Sequence, residues 1–247
     1  MSKVALLMAI VVSLSASIAA QSSNSSPAQS AAQSSSSSGV SSSADKKHVK
    51  AVASSDIDAG SVVNGVYRNR ALGMTCRIPG GWVLRTEEMN AEEDSHPVAE
   101  NATRVGQPQG TSSPQGNPGK SKVLLAAFSR PPGAAGEGVN ASILIAAESV
   151  AAYPGLKEAV QYLEPLTEVA KAQGFVPDAE PYEIAIGGKV LVREDFHKDV
   201  GTRVMRQATM AMLAKGYAVS ITVIGGTEEE VEDLVDGLEF GGGAKGK

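Results

Sequence analysis

The sequence predicts an α+β fold, with a central, mostly antiparallel sheet of about six or more strands and helices packed on it. Three observations carry that expectation. Residues 203–240 read as strand, tight turn, strand, turn and helix. Residues 183–196 read as two strands joined by Gly187-Gly188, the permissive pair that a two-residue hairpin turn requires. The strands at 123–129 and 142–147 are apolar except for the terminal Ser129 and Ser142, as central strands covered on both faces are.

Taken in order, the chain opens with a secretory leader over residues 1–20. Lys3 is its positive end, residues 4–14 its apolar core and Ser17-Ile18-Ala19-Ala20 its small-residue exit. Residues 21–61 follow as a Ser-rich, low-complexity linker with almost no large apolar side chain. Such a segment buries too little surface to offset chain entropy, so it is expected to be disordered. Lys46, Lys47, His48 and Lys50 make a small basic cluster in it, read as solvated linker.

Residues 62–240 are expected to form one α+β domain. Residues 66–69 read as a first short strand. In the second, residues 74–78, Met74, Cys76 and Ile78 share one side. Pro79-Gly80-Gly81 stops it, because proline cannot donate to a ladder. Trp82, the only tryptophan, is expected to fold back onto the sheet. Residues 85–94 suggest a short acidic helix, and 95–121, dense in turn and breaker pairs, a disordered insertion. Residues 155–173 form the strongest helical pattern, with Pro165 inside it, so a kink or break is expected near Leu163.

In the C-terminal stretch, Tyr217, Val219, Ile221 and Val223 alternate with Ala218, Ser220, Thr222 and Ile224, the period of a pleated strand. Thr227 and Glu230 have capping-box spacing, and Val231, Leu234, Val235 and Leu238 make one apolar stripe of a helix over 228–238. Residues 241–247 read as a flexible tail.

Several of these segments together resemble the PsbP-like family: the photosystem II extrinsic subunit, the Ran-binding nuclear-transport factor and the bacterial DcrB-type envelope proteins. Tyr67-Arg68-Asn69, Gly73, Ile78-Pro79-Gly80-Gly81-Trp82, Ile186-Gly187-Gly188, Val192-Arg193-Glu194-Asp195 and Lys215-Gly216-Tyr217 carry the likeness. The resemblance implies a PsbP-like sandwich, a central sheet between helices, in a class made mostly of binding or assembly modules. It implies no reaction.

Composition narrows the function classes. The net charge of −5 lacks the basic face of a nucleic-acid binder. No stretch after the leader is long and apolar enough for stable membrane insertion. Cys76 is the only cysteine, so neither an intramolecular disulfide nor a cysteine metal cage is available, and its alternation with Met74 and Ile78 marks a buried, inert thiol. No nucleophile elbow, phosphate-binding loop or dinucleotide fingerprint is present. Asn24, Asn101 and Asn140 begin glycosylation sequons.

The densest polar group is Glu194, Asp195, His197 and Asp199. On a strand, Asp195, His197 and Asp199 share a face and could offer carboxylate and imidazole ligands to a metal; the plainer reading is a charged strand end. His96 adjoins the insertion and His48 lies in the linker, where ligand geometry is not held. The leading expectation is therefore an exported, periplasmic or extracellular module, non-catalytic and without cofactor, that binds a protein or envelope partner. The alternatives are a metal-binding protein or metal-dependent enzyme using Asp195, His197 and Asp199, and a carrier of a small apolar ligand. The small residues of Leu125-Ala126-Ala127 and Ala146-Ala147 suggest the carrier.

Overall fold

The computed structural model describes residues 57–95 and 121–241 except 132, 135 and 137. The expected leader, nearly all of the linker, the insertion and the tail therefore lie outside the described residues, as do His48, His96, Asn24 and Asn101.

The described chain is mostly strand, arranged in two antiparallel sheets. One has four short strands in the order β1 (Ser61–Val63), β2 (Val66–Asn69), β3 (Met74–Arg77) and β12 (Leu238–Phe240). The other begins with β4 (Val83–Leu84), β5 (Ser121–Phe128), β6 (Ser142–Ser149) and β11 (Tyr217–Gly225). It continues through β10 (Arg203–Ala214) to β9 (Lys189–Val200), whose outer edge pairs with both β7 (Val176–Pro177) and β8 (Tyr182–Ile186). Three α-helices accompany them: α1 (Thr86–Ser95), α2 (Ala159–Ala172) and α3 (Glu228–Val235).

This corrects the expected fold class. The PsbP-like sandwich, one central sheet between helices, is not what forms. The largest core cluster lies mainly between two sheets, with Tyr67, Met74, Cys76, Leu238 and Phe240 of the small sheet against Ile145, Met210, Val219 and Ile221 of the large one. The physical reason is pairing: β12 joins β3 and completes a separate small sheet, whose alternate side chains are buried by stacking across the face of the large one.

The opposite face of the large sheet is covered by α2 and α1. Tyr162, Leu163 and Leu166 of α2 and Met89 of α1 pack on Val123, Ala126, Leu144, Ala146 and Ala211. Both faces of β11 are thus buried; Ala126 and Ala146 pack with Tyr162, while Ala127 and Ala147 lie in the core cluster between the sheets.

Two helix expectations also change. Helix α2 starts at Ala159, where Gln161 Oε1 accepts from the backbone N–H groups of Lys157 and Glu158 at 2.9 and 3.1 Å. It runs unbroken through Pro165. An interior proline costs about 3 kcal/mol, and burial of Leu163 and Leu166 at about 1.5–3 kcal/mol each offsets it. Helix α3 stops at Val235, and Leu238 belongs to β12, opposite Cys76. Its apolar side chain enters the same core as the helical stripe, which is why periodicity alone assigned it to the helix.

Helix α1 closes an open sheet edge. β4 pairs with only the last two residues of β5. Beyond it, Asn90 Nδ2 donates to Val123 O and Asn90 Oδ1 accepts from Val123 N, both at 3.0 Å, so one carboxamide serves as a strand. Thr86 Oγ1 accepts from Ala126 N at 3.0 Å. Asn90→Ala should lower stability by about 1–3 kcal/mol, the cost of unpairing buried backbone groups. It should also promote association through the bared edge. Urea denaturation with light scattering checks this; an unchanged midpoint and no added scattering would contradict it.

Candidate functional site

The chemistry-bearing residues gather at the far end of the large sheet, on the face that carries α3. Register places them there. The Gly187-Gly188 turn sets Ile186 opposite Lys189, so Tyr182 falls opposite Arg193. The β9–β10 ladder sets Asp195 opposite Ala208, His197 opposite Arg206 and Asp199 opposite Val204. β7 then brings Val176 opposite His197. Directly opposed residues share a face, so Tyr182, Arg193, Asp195, His197, Arg206, Val176 and Val204 all project to one side.

A cleft of about 300 Å³ lies on this face. Its base includes Arg193 and Asp195, and Glu228, Val231 and Glu232 of α3 wall it. Asp178, Tyr182 and Arg206 complete the rim. The Arg193 side chain is only 7% exposed and joins two elements. Its Nε donates to Asp195 Oδ1 at 2.9 Å, while Nη1 and Nη2 grip the two carboxylate oxygens of Glu232. Burial alone would lower the Arg193 pKa; hydrogen bonds to Glu232 and Asp195 outweigh it and raise the pKa further. Tyr182 donates to Asp195 Oδ2 at 2.6 Å. Burial first, and that hydrogen bond second, push its phenol up to about 12. Tyr182 is therefore a fixed hydrogen-bond donor at neutral pH.

A second chain of charges runs along the rim. Asp178 Oδ1 meets His197 Nδ1, and Asp178 Oδ2 accepts from Arg206 Nη1 at 3.2 Å. Of the three residues considered as a metal set, then, Asp195 is turned to Arg193 and Tyr182, His197 to Asp178, and Asp199 sits exposed near the strand end. They share a face as parity required, but they do not converge. Among the described residues no group of three or more His, Cys, Asp or Glu side chains is placed to hold a metal ion. What the arrangement can do is present a pre-ordered array of donors and acceptors.

Asp178, Tyr182, Arg206 and Glu232 were not singled out in the sequence. Tyr182 was within reach, since the two-residue turn fixes which residue faces Arg193. Asp178 and Arg206 meet only because β7 and β10 flank β9, which no local pattern encodes. Elsewhere, Cys76 is buried and burial pushes its thiol up to about 12, as an inert core thiol should be. Asn140 is also buried. Its Oδ1 accepts from Ser129 Oγ at 2.9 Å and Arg130 N at 3.1 Å, so the sequon there is closed to a glycan in the folded protein.

No family model matches the sequence, and no curated protein matches it significantly. Solved structures give weak likenesses. A Pseudomonas aeruginosa protein of unknown function aligns with TM-score 0.30 and 19% identity over 42% of this chain and 70% of that one. LpqN of Mycobacterium tuberculosis, which is involved in cell envelope biogenesis, aligns with TM-score 0.33 and 12% identity over 66% and 76% of the two chains. A Bacteroides thetaiotaomicron protein aligns with TM-score 0.32 and 9% identity over 71% and 47%. Likenesses this weak carry no argument about what this chain does. Among the described residues no helix is long and apolar enough to cross a membrane.

Proposed function

We propose that the chain is an exported, non-catalytic binding or assembly module of the cell envelope that engages a protein partner through the β9–β10 face beside α3. One observation supports it above the rest. Val176, Tyr182 and Val204 are 52%, 42% and 36% exposed and share one face: Tyr182 lines the charged cleft, and Val176 and Val204 stand opposite His197 and Asp199 further along β9. Large apolar side chains around an ordered Arg–Tyr–carboxylate array are the composition of a protein-binding surface, where aromatic and arginine side chains dominate affinity. The expected leader and Ser-rich linker agree with this role, because an exported domain carrying a flexible arm is free to search for a partner.

The test is capture by chemical crosslinking in envelope extracts, comparing the full chain with a Val176→Asp/Tyr182→Ala double variant of unchanged melting temperature. A specific partner should be lost by about tenfold or more in the variant, the effect of removing hot-spot contacts. Equal capture by both proteins would reject the face, and capture by neither would reject the function.

A further inference from the structure

We propose that Glu194 and Thr167 form a proton-dependent latch that holds helix α2 against strand β9. Glu194 alternates with Arg193 and Asp195, so it points away from the cleft and onto the face that α2 covers. It is 3% exposed, a burial that a carboxyl group seldom has without a cationic partner. Its bonded partner is the Thr167 hydroxyl of α2, on Oε2.

The hydrogen count makes the direction of this contact depend on the proton. Thr167 Oγ1 also lies 3.2 Å from Leu163 O, and a hydroxyl has one hydrogen to give. A protonated Glu194 donates to Oγ1, and Thr167 in turn donates to Leu163 O, so each group is satisfied. An ionised Glu194 takes that single hydrogen itself, a bond that favours the charge, but the charge then stays buried beside the acidic side chains of α2, and that cost is what loosens the contact. Glu148, the other deeply buried glutamate of this face, is placed differently. Two phenol donors, Tyr153 and Tyr162, converge on its Oε2.

The surroundings do not neutralise Glu194. Glu164 and Glu168 of α2 and Glu180 after β7 share with it an open groove of about 600 Å³. Lys171, the cation in that groove, is bonded to Glu168 Oε1 at 3.1 Å. On β9, Lys198 is taken up by Gln173 O at 2.6 Å and the Phe175 ring, while Asp195 and Arg193 face the other side. Across on β10, Gln207 and Thr209 are neutral, and Arg206 faces the cleft. Burial first, then Glu180 and Asp195, raise the Glu194 carboxyl; Thr167 and Lys171 lower it, and the net direction is up.

The sign follows. A folded-state pKa above the unfolded one means that the folded chain holds the proton more tightly. The latch is complete below the ordinary carboxylate range and is lost as pH rises through the raised value. Helix α2 should loosen from β9 on the alkaline side.

The experiment measures stability of the full chain and of Glu194→Gln from about pH 4 to about pH 8, with amide exchange of α2 alongside. The amide side chain keeps the shape and the donor but cannot ionise. The stability of Glu194→Gln relative to the wild type should rise with pH and then level off. After correction for intrinsic rates, α2 protection should fall severalfold in the wild type only. A difference that does not vary with pH, or equal loss of protection in both proteins, overturns the latch. Carboxyl-carbon NMR of the wild type gives a reading that needs no variant. A Glu194 titration midpoint above that of exposed glutamates supports the latch, and one at or below theirs overturns it.

Discussion

Gly187→Ala is expected to destabilise the protein by on the order of 3–4 kcal/mol, more than any other single alanine substitution at its turns. Gly187 stands at φ +53°, and an added Cβ would lie 2.0 Å from the carbonyl oxygen of Phe240 and 2.9 Å from its nitrogen and carbonyl carbon. Those are backbone atoms of β12, so no rotamer change relieves the overlap. The hairpin between β8 and β9 would have to part from β12, which is the small sheet's contact at that corner. Gly188→Ala is the control. It has φ +80° and nothing within 4 Å of an added Cβ, so it carries only the left-handed penalty of about 1–2 kcal/mol. Denaturant midpoints of the two variants decide the point, and equal losses would contradict the close approach.

Arg193→Ala should cost about 2–4 kcal/mol, because it leaves Asp195 without its arginine in a half-buried site and cuts the tie between β9 and α3. The upper figure for a fully buried pair does not apply, since Glu232 is 45% exposed and can rehydrate. For the same reason Glu232→Gln should cost under about 1 kcal/mol. Arg193→Lys should fall between them, since an ammonium keeps the charge but cannot span two carboxylates as a planar fork does. Urea denaturation orders the three variants. An Arg193→Ala protein as stable as Glu232→Gln would show that the arginine decorates the cleft without holding it.

How much of this was legible in the sequence depends on the range of the interaction. The Gly187-Gly188 turn was readable, because two permissive residues fix both the bend and the register on either side of it; at the next hairpin the sequence suggests Ala214-Lys215-Gly216 as the turn, whereas Ala214 ends β10 opposite Tyr217. The Lys215-Gly216 turn alone places Thr209 beside Thr222, and their hydroxyls lie 3.4 Å apart in the core. The capping signal at Thr227 was readable too. Its hydroxyl does accept from Glu230 N at 3.1 Å, although Glu230 returns to Gly226 N and not to Thr227.

Partition into two sheets was not readable. Nothing in residues 66–69 or 74–77 says whether those strands lengthen a sheet or stack across it; β12 decides by pairing with β3, far away in the chain. Nor does an asparagine in an acidic helix announce that it will stand in for a strand, as Asn90 does. Glu194 reads as one charge among several in a polar run, and only the position of α2 buries it. In the candidate site, parity correctly put Asp195, His197 and Asp199 on one face. It could not foresee that Arg193 and Asp178 would each take one of them.

The proposed function requires a partner to touch the folded protein on the cleft face. A photo-crosslinking side chain installed at Tyr182, on the cleft face, and separately at Val63, 55% exposed on the small sheet, samples surfaces on different sheets. A discrete adduct is expected from position 182 and none from position 63. An adduct from position 63 alone, or from neither, would contradict the proposed function.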